Sequence, residues 1–153
     1  MPSFNESRAR YDSFLAVHIV FPDFLQGHEL QITGIGVDQY ALQIEYRITP
    51  ALANMRPPEK PGTDWRPPIH WSWNATDDLG TAYVEAGGAY GASPNGLTTN
   101  GVLSLTPFPS PGARLLHVAL NAWTKSWYEQ RTCAFEVAIE ALSGRSQRPD
   151  ISA

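Results

Sequence analysis

The stretch that decides the fold reads Trp71-Ser-Trp-Asn-Ala-Thr-Asp-Asp-Leu-Gly-Thr-Ala-Tyr83. Its first half alternates apolar and polar residues, which predicts a strand with one apolar face and one polar face. The segment Asp77–Gly80 then supplies turn chemistry, because Asp side chains bond nearby backbone donors and glycine accepts a positive φ. An extended run restarts after the turn. The stretch therefore predicts a β-hairpin and, with it, an antiparallel all-β domain.

Strand-like alternation continues on both sides of this hairpin. It is clearest over residues 42–49, and residues 29–49 together predict a second hairpin. The apolar parity switches at Thr33-Gly34, which predicts a β-bulge there. Shorter runs predict the remaining strands, at 13–21, 83–86, 102–107, 115–121 and 133–142. The predicted fold is a two-sheet antiparallel immunoglobulin-like β-sandwich of seven or eight strands, with a closed barrel as the alternative.

Three other segments carry specific expectations. Residues 13–21 are apolar at both parities, so we expect this strand to be covered on both faces or to pair with a partner chain, and Pro22 to end it. Residues 50–69 contain six prolines and predict a long open connection between sheets. Residues 87–101, rich in Gly, Ser, Asn and Thr, predict a second long loop.

Length and composition set the class of the protein. The 153 residues predict a β-sandwich over 13–143 between flexible segments at 1–12 and 144–153. A net charge of -4 argues against nucleic acid as a partner. Cys133 is the single cysteine, which together with a polar N-terminal stretch that lacks signal-peptide features predicts a cytoplasmic protein. No apolar run reaches the length of about eighteen residues that predicts a membrane span.

Three short motifs carry a resemblance. They are Asp-Asp-Leu-Gly-Thr-x-Tyr at 77–83, Leu-Ser-Leu-Thr-Pro-Phe-Pro at 103–109 and Leu-x-Val at 116–118. Over about residues 28–142 the chain resembles uncharacterised bacterial proteins with an immunoglobulin-like sandwich. The resemblance implies the fold and no catalytic residues. Secreted proteins of that type begin with signal or lipoprotein leaders, and this chain departs from them there.

Aromatic residues are the main candidates for a binding site. Trp and Tyr rings stack on sugars and anchor protein interfaces, whereas Trp in a middle strand of a sandwich fills the core. By strand period Trp71 and Trp73 belong to the core. Aromatic residues in loops or near strand ends are harder to bury and more often functional. The predicted binding residues are Trp65, Tyr90, Trp123, Trp127 and Tyr128.

Catalytic and metal chemistry have weaker support. Asp77 and Asp78, with Asp64, contain the oxygen ligands of a hard cation, but adjacent Asp residues are also typical of a turn and the calcium-loop spacing is missing. Cys133 and His117 on neighbouring strands would form a nucleophile–base pair, yet a lone cysteine opening an apolar strand is typical of the core. We therefore predict no catalytic residues, no metal site and no cofactor.

The sequence favours a non-catalytic binding or assembly module whose loops, held on a β-sandwich, contact a protein partner. A homo-oligomer formed through strand 13–21 is a further expectation. The first alternative is a carbohydrate-binding module that uses exposed Trp and Tyr. The second is an enzyme with an unrecognised site, which requires titratable groups that converge in a cleft.

Overall fold

The structure, a computed structural model, describes residues 11–38, 41–52, 62, 69–124, 129–140 and 142. These residues form eight β-strands, and the segments 39–40, 53–61 and 63–68 lie outside the description together with 125–128 and both termini. In chain order the strands are β1 (Ser13–Leu25), β2 (His28–Val37), β3 (Leu42–Thr49), β4 (His70–Asp77), β5 (Ala82–Ala92), β6 (Thr99–Thr106), β7 (Leu115–Thr124) and β8 (Glu129–Ala138).

All eight strands belong to one antiparallel sheet in the order β1-β2-β3-β6-β5-β4-β7-β8. The all-β, antiparallel prediction is confirmed. β5 links the two halves of the sheet, because its first residues pair with β4 and the rest of the strand pairs with β6. The connection over residues 50–69 joins β3 to β4, which are not neighbours in the strand order. The predicted crossing from one sheet to another stays a prediction, because all eight strands belong to one sheet.

The two outermost strands, β1 and β8, approach each other and nearly close the sheet. Phe21 of β1 packs against Phe135 of β8 with ring centroids 6.2 Å apart. The Nε of Arg131 donates a hydrogen bond to the carbonyl of Asp23 at 3.2 Å. In the described parts of these strands no backbone ladder joins them, so side chains make the contact. The architecture is nearly closed and barrel-like.

Alternate residues of most strands point inward and form the core, whereas β5 contributes only Tyr83 to it. In β3 the residues Leu42, Ile44, Tyr46 and Ile48 are buried, as their spacing predicts, although Glu45 between them is buried too. Trp73 and Ala75 are also buried, and Trp71 packs against the core, so the prediction for both tryptophans is confirmed. Burial of these large apolar side chains is the main force that holds the sheet in its curved form.

The hairpin over residues 71–83 forms as predicted, with Gly80 at a φ of +83°. Asp77 organises its turn. One carboxylate oxygen accepts hydrogen bonds from the backbone N–H groups of Leu79 and Thr81, both at 2.9 Å, and the other accepts the hydroxyl of Tyr83 at 2.8 Å. Burial alone would raise the pKa of Asp77, but these donated hydrogen bonds outweigh it and the pKa lies below its ordinary value.

The second hairpin, β2–β3, also forms as predicted, and its register shifts between Ile32 and Gly34, at the predicted bulge. The ring of Phe14 lies over Gly34 and that of Tyr11 over Gly36, where a Cβ would overlap each ring. The two rings stack with centroids 5.6 Å apart. Glycine is needed at both positions because an aromatic ring occupies the space of a side chain.

Strand β1 departs from the sequence prediction in two ways. It continues through Pro22 to Leu25, with a register shift between Phe21 and Leu25. Proline is tolerated there because β1 lies at the edge of the sheet, where the missing N–H breaks no ladder. Coverage of both faces within the chain, one of the two expectations for this strand, was also wrong, whereas pairing with a partner chain stays a prediction. Residues 15, 17, 19 and 21 pack on the core, whereas 16, 18 and 20 are exposed.

The prediction of a long loop over residues 87–101 was wrong as well. Residues 87–92 continue β5, residues 93–98 form the turn, and β6 begins at Thr99. Glycine is typical of loops, but at position 88 it is needed within the sheet, because a Cβ at Gly88 would lie 2.6 Å from the carbonyl oxygen of Val102. The register of β5 against β6 shifts between Glu85 and Gly88, beside Gly87 with its φ of +108°.

Candidate functional site

The five predicted binding residues do not form one described cluster. Trp65, Trp127 and Tyr128 lie outside the described residues. Tyr90 lies in β5 and is 39% exposed, whereas Trp123 lies in β7 and is 40% exposed. Both sit on strands rather than in loops, and they belong to different halves of the sheet. Two surfaces therefore need to be considered separately.

Tyr90 belongs to the first surface. It lies on the same face of the sheet as a cluster of aromatic side chains that points into the core. Tyr46 and Tyr90 both lie opposite Gly101 in the register, so they share the inner face. The ring of Tyr46 occupies the space beside Gly101 and packs against Trp71 and Trp73 at 5.3 and 5.8 Å. Burial, with a smaller contribution from Tyr90, raises the pKa of Tyr46 well above its ordinary value.

β5 separates from β4 directly after the hairpin. The two strands pair only at Ala75–Tyr83 and Thr76–Ala82. At the point of separation the carboxylate of Glu85 accepts the backbone N–H of Trp73 at 2.5 Å, in place of a carbonyl from β5. Beyond this point, residues 84–92 have β6 on one side and no paired strand on the other in the described part of the chain.

We call residues 84–92 the β5 edge. Eight of these nine residues are exposed, and Gly91 is half-buried. Its last five residues, 88–92, pair regularly with β6 and so present an extended, unbroken edge. The edge contains one charged residue, Glu85, and neither proline nor lysine. Natural proteins usually protect exposed edges with such residues or with bulges, and here only the bulge before Gly88 is present.

The second surface is the side of β4, β7 and β8 that faces away from the core, which we call the outer face. Directly opposed residues form rows across the three strands, because the β4–β7 and β7–β8 registers are continuous. From one end to the other the rows are His70–Trp123–Gln130, Ser72–Asn121–Thr132, Asn74–Ala119–Ala134 and Thr76–His117–Glu136.

Each row of the outer face has a distinct chemistry. His70 stacks on Trp123 with centroids 5.7 Å apart and planes 18° from parallel. In the next row the hydroxyl of Thr132 donates to Oδ1 of Asn121 at 2.8 Å. In the last row Nδ1 of His117 lies 2.9 Å from a carboxylate oxygen of Glu136. The face is therefore polar, with one aromatic platform at its end.

A shallow cavity of about 460 Å³ lies on the outer face. Its position follows from the row Asn74–Ala119–Ala134, because the two alanines are short and leave a depression between taller neighbouring rows. Nine residues line it: Asn74, Ala75, Thr76, His117, Val118, Ala119, Ala134, Phe135 and Glu136. The described ionisable groups of this lining are His117 and Glu136, which are paired with each other.

The carboxylates considered for a cation are used in the hairpin turn. Asp77 accepts three hydrogen bonds, as described above, and Oδ1 of Asp78 accepts the backbone N–H groups of Arg114 and Leu115 at 2.9 and 3.2 Å. These hydrogen bonds hold the pKa of Asp78 below its ordinary value. The turn interpretation of these residues is thus confirmed. No group of three potential metal ligands occurs among the described residues, and Asp64 lies outside them.

Cys133 and His117 lie on neighbouring strands but point to opposite faces. Cys133 is opposed to Leu120 on the inner face, whereas His117 is opposed to Glu136 on the outer face. The sheet itself therefore separates the thiol from the imidazole, and the two cannot form a nucleophile–base pair. Burial raises the pKa of the Cys133 thiol, which disfavours the reactive thiolate further.

Comparisons of the chain with protein-family models, with curated proteins and with solved structures found no match. The described residues contain no helix that is long and apolar enough to cross a membrane.

Sequence reasoning missed both surfaces. The polar alternation of Ser72, Asn74 and Thr76 is visible in the sequence and indicates a solvent-facing side. The rows depend on which residues of β7 and β8 lie opposite them, and a sequence pattern does not contain that register. The β5 edge was hidden because its glycines are typical of a loop.

Proposed function

We propose that this protein is a non-catalytic binding module that takes an extended segment of a partner protein as an added strand along the β5 edge. The observation that carries the proposal is the run of exposed residues 84–92, which has β6 on one side and no described strand on the other. Such an edge offers backbone N–H and C=O groups to a partner, and strand addition is a common way to recognise extended peptides.

The composition of the β5 edge supports this proposal. Gly88, Ala89 and Ala92 have small side chains that let a second backbone approach. The carboxylate of Glu85 is already held by the N–H of Trp73, so it does not repel an incoming strand at the regular part of the edge. Tyr90 is a partly exposed aromatic residue in the middle of this part and would supply an anchor for a partner side chain.

The proposal also includes the arrangement of the strands in layers and the cellular compartment of the protein. We propose that β1-β2-β3-β6-β5 and β5-β4-β7-β8 act as the two layers of an immunoglobulin-like sandwich, as the resemblance over residues 28–142 implies. A cytoplasmic location is also part of the proposal, because a chain with one cysteine forms no intrachain disulfide. The proposed roles of Trp65, Trp127 and Tyr128 in partner contact remain predictions.

The test uses two proline variants at neighbouring positions, Ala89→Pro and Tyr90→Pro. Successive backbone N–H groups of a strand point to opposite sides, so one of these variants removes a donor toward β6 and the other removes a donor toward the side of β5 away from β6. We expect the variant that loses a donor toward β6 to have a lower melting temperature, and the other variant to melt at nearly the native temperature. Tyr90→Ala is the matched control that removes the side chain and keeps the backbone donor.

Binding is measured by pull-down of the tagged chain from lysate of its own source, followed by hydrogen exchange of the isolated complex. We expect the proline variant of native stability to lose the partner. We also expect the amide hydrogens of residues 88–92 to become protected when the partner binds. A partner retained by both folded variants, or bound without added protection at the β5 edge, would refute strand addition.

A further inference from the structure

We propose that the cavity on the outer face of β4, β7 and β8 is a binding site for a neutral oligosaccharide. This site is separate from the β5 edge, since the two lie in different parts of the sheet. It therefore does not depend on the function proposed above. The inference rests on three features of the outer face: its shape, its hydrogen-bonding groups and its charge.

The shape of the site suits a chain of sugar rings. The cavity of about 460 Å³ lies over the short residues Ala119 and Ala134. From Trp123 to His117 the outer face extends six residues along β7, which is about 20 Å at roughly 3.4 Å per residue. That length exceeds one sugar ring and accommodates several linked rings. Trp123, which is 40% exposed and stacked on His70, provides an aromatic platform at one end.

The hydrogen-bonding groups match the hydroxyls of a sugar. A sugar hydroxyl both donates and accepts, so it pairs well with side chains that do the same. Asn74 and Thr76, which line the cavity, and Asn121 and Thr132, in the row between the cavity and Trp123, are amides and hydroxyls of this kind. They lie in rows at the spacing of neighbouring strands, about 5 Å, so that consecutive hydroxyls can be met by different strands.

The charge of the site selects a neutral ligand. Glu136 and His117 are the described ionisable residues of the cavity lining, and they face each other at 2.9 Å. The described lining of the cavity contains no lysine or arginine, and the whole chain carries a net charge of -4. An anionic sugar or a phosphate would approach the Glu136 carboxylate, with no lysine or arginine among the described lining residues to attract it, which is unfavourable.

The experiment titrates the isotope-labelled full chain with neutral hexasaccharides at millimolar concentration. Separate titrations use hexamers of β-linked glucose, α-linked glucose, xylose and mannose, with a hyaluronan hexasaccharide as the anionic probe. Two variants test the site: Trp123→Ala removes the platform, and Ala119→Leu fills the depression. Both residues lie on the solvent side of β7, so we expect both variants to keep the native circular dichroism spectrum. Trp123→Ala also loses its stacking on His70 and should melt at a slightly lower temperature than the native chain.

The expected result is that at least one neutral hexasaccharide shifts backbone resonances of β4, β7 and β8. We expect Trp123→Ala to weaken its affinity by about tenfold or more, and Ala119→Leu to abolish it. Leu97→Ala, a change at an exposed residue of the turn between β5 and β6, should leave binding unchanged. The proposal is overturned if no neutral hexasaccharide binds, if only the anionic probe binds, or if the folded Ala119→Leu variant binds with native affinity.

Discussion

Replacement of Asp77 should show how strongly one carboxylate holds the β4–β5 hairpin. In Asp77→Ala the backbone donors of Leu79 and Thr81 lose their acceptor, and so does the hydroxyl of Tyr83, whose side chain is buried. A buried hydroxyl without a partner costs about 1–3 kcal/mol, and each lost bond to a charged acceptor adds to this. Because turn amides recover bonds to water, we expect a total loss of about 3–5 kcal/mol.

The assay is denaturant unfolding, supported by thermal melting. For a domain of this size the expected loss corresponds to a melting temperature lower by about 10 °C. Asp77→Asn is the conservative control, because its carbonyl oxygen still accepts from the two backbone N–H groups and its amide can donate to the Tyr83 oxygen. We expect it to lose only about 1 kcal/mol. A loss below about 1 kcal/mol in Asp77→Ala would refute the reasoning.

The native chain and Asp77→Asn should also differ in how their stability depends on pH. The pKa of Asp77 is lowered in the folded chain, so the carboxylate stabilises the fold fully above its unfolded pKa of about 4. That contribution is lost as the pH falls through the lower, folded pKa. The native chain should therefore exceed Asp77→Asn in stability at neutral pH, and the difference should shrink below about pH 4. A difference that is constant from pH 6 to pH 2 would exclude a role for the charge.

Three further predictions concern the core. Gly101→Ala should destabilise the protein by about 1–3 kcal/mol in denaturant unfolding, because the new Cβ overlaps the Tyr46 ring; an unchanged midpoint would contradict this packing. Cys133, buried and with a raised pKa, should react with a thiol reagent at neutral pH far more slowly in the native chain than in denaturant, and equal rates would contradict its burial. In an absorbance titration, Tyr46 and Tyr83 should ionise only with alkaline unfolding, since burial raises both pKa values; ionisation of every tyrosine near pH 10 would refute this.

The all-β, antiparallel class of the fold was predictable because local chemistry agrees with it, whereas the two-sheet sandwich stays a prediction. The alternation over 42–49, the Asp77–Gly80 turn and the bulge at Gly34 each follow from residue type and spacing, and each is found where expected. The failures occur where tertiary context overrides local signals. Pro22 ends strands in general but is tolerated in an edge strand, which the sequence does not identify as an edge.

The candidate surfaces were less predictable for a related reason. Glycines 87, 88 and 91 are typical of loops by composition, yet Gly88 lies in the sheet because the backbone of β6 approaches too closely for a Cβ. The sequence allowed Trp123 to be selected as an exposed aromatic residue. Its stacking on His70 could not be predicted, because that contact depends on the β4–β7 register. Sequence patterns specify faces of strands, whereas a site depends on pairings between residues far apart in the chain.

The shared strand β5 has a consequence for how the protein can be divided. The chain enters one half of the sheet with β1 to β3, crosses to the other half with β4, returns through β5 to β6, and crosses again to β7 and β8. Neither half is a contiguous piece of sequence. A cut between β4 and β5, or between β5 and β6, therefore divides the strands of both halves between two fragments. A split reporter made by cutting this protein at either of these places would have to reassemble both halves at once.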